Sequence, residues 1–163
     1  MIVRTRNRWQ VFGVVTLLSC VSVVARGAVT CGASASGVAF GIYDPLQAGP
    51  DTSTGNITVT CSATGSSAAI TVFVSLSTGL SGTYSVRKMF SGANSLNYNL
   101  YGDITYTQIW GDGTSGTVRG SASVVVAPGS PRTLTGTWYG RAPAAQDVAA
   151  GTYADTIVVT VTY

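Results

Sequence analysis

Apolar and polar residues alternate with a period of two along much of this chain. Ile57, Val59 and Cys61 alternate with Thr58 and Thr60, and Ile70, Val72, Val74 and Leu76 alternate with Thr71, Phe73 and Ser75. Successive side chains of a strand point to opposite faces, so each run predicts one strand with a core face and an outer face. Further strands are expected over residues 38–43, 83–90, 96–101, 105–110, 117–126 and 134–139, separated by the turn signals Asp44-Pro45, Ser91-Gly92, Asp112-Gly113 and Pro128-Gly129. The cleanest pattern comes last. From 153 to 163 the odd positions read Tyr153, Asp155, Ile157, Val159, Val161 and Tyr163, with Thr156, Thr160 and Thr162 among the even ones. That strand reaches the final residue of the sequence, so its outer neighbour is expected to come from elsewhere. Otherwise the edge stays open, and an open apolar edge is an aggregation hazard.

Many short strands with no room for crossover helices predict an all-β, antiparallel sandwich. Glycine, serine and threonine are abundant and Glu and His are absent, so amphipathic helices with charged outer faces have little to be built from. No internal repeat or linker divides the pattern.

The first 27 residues differ in kind. Arg4, Arg6 and Arg8 lead into an apolar run over 11–25, and the first acidic residue is Asp44. This predicts a secretory signal peptide over 1–27, cut before Ala28 because Ala25 and Gly27 are small, with a cut after Ala25 as the alternative. The apolar run is too short and interrupted for a membrane span, so none is expected after cleavage. Leu17-Leu18-Ser19-Cys20 loosely matches a lipid-attachment box, although Leu18 fits it poorly. Residues 28–163 are expected to form one domain.

Removing residues 1–27 reverses the charge. Arg87, Lys88, Arg119, Arg132 and Arg141 then stand against six aspartates, a net −1 where the whole chain carries +3. No nucleic-acid footprint is therefore expected. Cys31 and Cys61 remain as an even pair in an oxidising compartment, expected as one disulfide rather than two separate buried thiols. Closing that loop should add roughly 3 to 4 kcal/mol in the chain-entropy model.

No catalytic constellation is visible: there is no His for a nucleophile–base pair, and a disulfide would consume both cysteines. The aspartates lie mostly beside Gly or Pro, as in Asp44-Pro45, Pro50-Asp51, Gly102-Asp103 and Gly111-Asp112-Gly113, where turn chemistry accounts for them. A glycosidase-like carboxylate pair or a calcium loop at Asp112 is the lesser reading. Neither cofactor nor metal is expected. Asp155, on the apolar face of the last strand, is expected to bond backbone amides at the rim or to pair with an arginine. The aromatics Tyr84, Tyr98, Tyr101, Tyr106, Trp110, Trp138 and Tyr139 would suit either a core or an adhesive surface.

Several motifs together carry a resemblance. Phe40-Gly41-x-Tyr43, Gly55-Asn56-Ile57-Thr58-Val59-Thr60-Cys61, Leu96-x-Tyr98-x-Leu100-Tyr101 and Trp110-Gly111-Asp112-Gly113 are followed by Tyr139-Gly140-Arg141-x-Pro143 and by the last strand, Gly151-x-Tyr153-x-Asp155 through Val159, Val161 and Tyr163. In this order they resemble the spore coat protein U domain of archaic chaperone-usher pilus subunits. The resemblance implies an immunoglobulin-like sandwich lacking its final strand, completed first by a periplasmic chaperone and then by another pilin-like subunit, with assembly at an outer-membrane usher. Tyr153, Ile157, Val159, Val161 and Tyr163 would form the edge that meets the donated strand, and the Tyr163 carboxylate would be held by basic groups of the chaperone. The protein would then be exported to the periplasm and the cell surface as a structural subunit. An adhesin-like binding module is the alternative reading, and a secreted hydrolase the remote one. The favoured cleavage leaves only Ala28, Val29 and Thr30 before Cys31, about 10 Å of chain at most, so a terminal or tip-like position that accepts a strand without donating one is expected.

Overall fold

The computed structural model describes residues 28–163; the expected signal segment, with Cys20, lies outside the described residues. Eight strands follow one another: β1 Val29–Ala35, β2 Asp51–Ala63, β3 Ala68–Leu76, β4 Arg87–Ser91, β5 Asn94–Tyr101, β6 Gly120–Val126, β7 Arg132–Ala142 and β8 Val159–Thr162. One turn of 3-10 helix, Gly79–Ser81, joins β3 towards β4. The strands form a five-stranded sheet in the order β1-β2-β7-β5-β4 and a three-stranded sheet in the order β6-β3-β8. Every named ladder is antiparallel. The fold is an antiparallel, immunoglobulin-like β-sandwich.

The alternation read from the sequence sets the two faces. Ile57, Val59 and Cys61 of β2 and Val72, Val74 and Leu76 of β3 are buried, with Tyr98, Leu100 and Trp138 from β5 and β7. Hydroxyls occupy the opposite faces and pair across strands, Thr60 with Thr133 at 3.2 Å and Thr71 with Ser123 at 2.9 Å. Trp110 packs edge-to-face on Trp138 at 5.9 Å and donates its indole N–H to the Val74 carbonyl at 2.9 Å. Gly55 lets this layer close, since a Cβ there would overlap the Trp138 indole.

Three expectations about strands are corrected. Residues 38–43 are not a strand, although Val38 and Phe40 still pack on the core. Residues 105–110 form a loop because the Asp103 carboxylate accepts from the Thr105 hydroxyl, from the Thr107 amide and hydroxyl and from the Gln108 amide. Such side-chain bonds compete with a ladder, and Tyr106 consequently sits at φ 56°. The long last strand is cut to Val159–Thr162. One strand was not foreseen: β1, made of small residues, pairs along its length with β2 and sets Cys31 opposite Cys61, where the two are disulfide-bonded.

The last strand begins beside a buried cation. Arg87 has no exposed surface. Its Nε and Nη2 donate to the Ser77 carbonyl at 3.1 and 2.8 Å, Nη2 also to the Trp110 carbonyl at 2.7 Å, and Nη1 to Asn99 Oδ1 at 2.7 Å. Asn99 is held in turn by its own donations to the carbonyls of Tyr84 and Ser85 at 2.9 and 3.1 Å. Burial lowers the pKa of the guanidinium from its ordinary value. The Ser77 carbonyl would otherwise complete the pair with Val158; the Val158 amide turns instead to Ser77 Oγ at 2.9 Å. Replacing this side chain by an apolar one of similar length strands the Ser77 and Trp110 carbonyls and leaves Asn99 Oδ1 with the Leu100 amide alone. Arg87→Met is expected to lower stability by about 3 kcal/mol in urea denaturation of the refolded, disulfide-intact domain; a change below about 1 kcal/mol would show that the cage is not a structural requirement.

Candidate functional site: an open edge beside an apolar cleft

β8 is laddered to β3 on one side only, through Phe73–Thr162 to Leu76–Val159. Among the described residues no strand lies against its other edge. Ser77 N donates to the Val158 carbonyl at 3.0 Å, so the even residues 158, 160 and 162 turn their main chain towards β3. Ile157, Val159 and Val161 therefore present their N–H and C=O groups to the open side, while their side chains pack on the core.

Upstream the chain leaves this sheet. Ala154 exchanges both main-chain bonds with Phe90 of β4, at 2.8 and 3.1 Å, on the other sheet. Asp155 then turns inward at the rim, where it accepts from the amides of Leu80 and Thr156 at 2.8 and 2.7 Å and from the Tyr98 hydroxyl at 2.7 Å. This is the amide-bonded alternative expected for it, with a tyrosine where an arginine was the other candidate. Burial, reinforced by that bond to Asp155, pushes the Tyr98 hydroxyl well above its usual pKa.

Between the last segment and the residues that follow β1 lies a cavity of about 480 Å³. Ala35–Val38 and Phe40 form one wall and Tyr153–Ile157 with Val159 the other; Tyr98, Leu100, Met89 and Trp138 lie between them. Asp155 is the one charged lining residue, and its oxygens are already engaged. The space is thus an apolar slot with an unpaired strand edge along it. Of the residues expected at the edge, Tyr153, Ile157 and Val159 line the slot, Val161 continues the same face along β8, and Tyr163 is 54% exposed and does not line the slot. Sequence reasoning did not assign Val38, Phe40, Met89 or Trp138 to this place. The available signal was Gly140, where a Cβ would come within 2.6 Å of Val38 and 2.9 Å of the Phe40 ring.

Among the described residues there is no group of three or more His, Cys, Asp or Glu placed to hold a metal ion. No described helix is long and apolar enough to cross a membrane. The mainly apolar lining suits burial of apolar side chains.

An immunoglobulin-like sandwich of this kind occurs in a chain of the CsuC–CsuE chaperone–tip adhesion subunit pre-assembly complex from the archaic chaperone-usher Csu pili of Acinetobacter baumannii, which superposes with a TM-score of 0.52 at 24% identity over 83% of this chain. The present chain spans 40% of that solved chain's length, and the likeness establishes the fold. The family model of the Spore Coat Protein U domain matches residues 17–160, and the chain belongs to that family. It is 35% identical over 148 residues to Protein U of Myxococcus xanthus, covering 84% of this chain and 78% of that protein.

Removing the Asp155 carboxylate leaves the Leu80 amide and the Tyr98 hydroxyl without an acceptor. Asp155→Ala is expected to destabilise the domain by about 1 to 3 kcal/mol, and Asp155→Asn, which keeps an oxygen acceptor, by less. Denaturant midpoints measured for both variants check the ranking.

Proposed function

We propose that this protein is an exported structural subunit of a chaperone-usher pilus or a spore-coat-type surface assembly. Its cleft accepts a strand from a periplasmic chaperone and later from a neighbouring subunit, with assembly at an outer-membrane usher. The observation that carries this reading is the unpaired edge of β8 running beside an apolar slot of about 480 Å³. An added strand would supply main-chain partners to Ile157, Val159 and Val161 and drop alternate apolar side chains into the slot, each worth roughly 1.5 to 3 kcal/mol when fully buried. An edge of this kind left bare invites aggregation, which gives a chaperone its role. Residues 1–27, with their arginines and apolar run, fit the export signal that such a route requires.

The edge is tested by co-expression with the chaperone. Val159→Asp sets a charge against the slot and is expected to abolish co-purification, as is deletion of residues 159–163; Thr160→Lys, on the exposed face, is expected to leave it intact. A chain truncated before Val159 that still co-purified would refute the edge.

A terminal position in the fibre is the finer reading. Cleavage before Ala28 would leave a single residue ahead of β1, and β1 is already committed to β2 along Val29–Ala35 and through the Cys31–Cys61 bond. No free arm would remain to enter another subunit. N-terminal sequencing of the mature protein is expected to begin at Ala28, or at Arg26 with the alternative cut; a start well upstream, or homopolymers with this arm mapped in the next subunit's cleft, would overturn it.

A further inference from the structure

The outer face of the larger sheet carries a smaller cavity that strand acceptance leaves unused. Along β7 Trp138, Gly140 and Ala142 are buried while Tyr139 and Arg141 turn outward, and on β5 Asn97 and Tyr101 share that outer side. Arg141 lies directly opposite Asn99 in the β5–β7 ladder, and Lys88 of β4 directly opposite Asn97. A cavity of about 170 Å³ opens here, with Asn97, Tyr101 and Arg141 in its lining beside the exposed Ser85, Val86 and Pro143. Only Tyr98 is common to this lining and that of the apolar slot. Two cations stand at this place without an acid. Among the described residues neither Arg141 nor Lys88 forms an ion pair, and the Arg141 guanidinium makes no hydrogen bond; its nitrogens are not sealed from water. What holds it is an aromatic ring. Arg141 Cζ lies 5.4 Å from the centroid of the Tyr106 ring, which meets Tyr101 edge-on at 5.5 Å. Tyr106 reaches this position in left-handed backbone, at φ 56°, a conformation that is costly for a bulky residue and that Gly or Asn would adopt more readily. The loop does not need the ring to close, because Asp103 accepts from Thr107 and Gln108, and Gly102 donates to the Gln108 carbonyl at 2.9 Å. The ring's own contribution is to fix the guanidinium while leaving its N–H groups to an acceptor from outside the chain.

We propose that this cavity binds one uronic acid residue of an acidic polysaccharide. The planar fork of Arg141 matches a carboxylate with two parallel hydrogen bonds, and Lys88, one strand further on, adds positive charge. The Asn97 side-chain amide has no partner among the described residues and offers both a donor and an acceptor to sugar hydroxyls. Tyr101 supplies an aromatic surface for the apolar face of the ring. Asn99 contributes shape rather than recognition, since Arg87, the Leu100 amide and the carbonyls of Tyr84 and Ser85 already take up its side chain. Size sets the ligand at one unit: sites for drug-sized molecules run from roughly 300 to 1,000 Å³, whereas about 170 Å³ admits a single ring and leaves the rest of a polymer outside. The cavity lies on the side of the sheet away from the core, so a strand docked in the apolar slot would leave it open. The proposal therefore goes beyond the structural role above and does not depend on it.

NMR titration of the mature protein purified from the periplasm tests this, with galacturonate, galactose, acetate and trigalacturonate as probes. Galacturonate is expected to give saturable shifts at the amides of Asn97, Tyr101 and Arg141, with an affinity at least about tenfold tighter than galactose, which lacks the carboxylate, or acetate, which lacks the ring. Trigalacturonate is expected to bind at least as tightly as the monomer. Arg141→Lys keeps the charge without the fork and is expected to weaken galacturonate binding about tenfold. Tyr106 acts through Arg141 as a positioning residue: Tyr106→Phe is expected to bind like the native protein and Tyr106→Ala about fivefold more weakly. Equal binding of galactose and galacturonate would overturn the carboxylate contact, and equal binding of acetate would overturn the sugar. Binding of the monomer without trigalacturonate would overturn a polysaccharide as the source, and no shift with any probe would overturn the site. These comparisons on the native protein hold even where a variant fails to fold.

Discussion

The architecture of the open side depends on a guanidinium buried in the core. Arg87 has no carboxylate partner; carbonyls and the Asn99 amide oxygen solvate it instead. By taking the Ser77 carbonyl it leaves the Ser77–Val158 pair with one of its two main-chain bonds, and upstream of that pair the chain reaches β4 at Ala154. A buried charge earns no general presumption of stability, since desolvation can exceed the interactions it makes. Here its effect is directional: the same four donations join the end of β3, the middle of β5 and the Trp110 loop, and they decide where the last strand begins.

The two sheets are unequal. Five strands face three, and the uncovered inner surface of the larger sheet, around Leu100, Tyr98 and Trp138, is only partly roofed by residues 35–40 on one side and 153–159 on the other. Asp155 keeps the second wall in place by bonding the Leu80 and Thr156 amides and the Tyr98 hydroxyl. Because these bonds use up its oxygens, the one acidic group in the slot does not make the slot polar.

The fold class was legible in the sequence because period-two alternation is a local property of β2, β3 and β5 and the core faces follow from it directly. The strand ends were not. That residues 105–110 curl around Asp103 depends on a carboxylate reaching four and five residues ahead, which alternation does not encode. β1 escaped notice because Ala33, Ser34 and Ala35 lack the β-branched residues that mark strands, and its place comes from pairing with β2 and from the Cys31–Cys61 bond. The inward alternation of Ile157, Val159 and Val161 was readable from their spacing, whereas the packing of Val38 and Phe40 opposite them depends on the long-range contact with Gly140. Arg87 carried no sequence signal at all: a single arginine within an expected strand reads as an exposed one.

The disulfide gives the wall that follows β1 a fixed origin. Cys31 and Cys61 lie directly opposite in the β1–β2 ladder, so the bond locks the register in which β1 meets β2. A one-residue slip would turn Val29 and Cys31 outward and, with them, Val38 and Phe40 away from Gly140. The coil that follows Ser36 therefore starts from a defined position and orientation, and the entropy of ordering it concerns only the few residues between Gly37 and Tyr43 rather than the whole N-terminal part of the domain. A rigid strand feeding a short segment without main-chain partners keeps Val38 and Phe40 on the core through their side chains while the backbone between them stays outside any ladder.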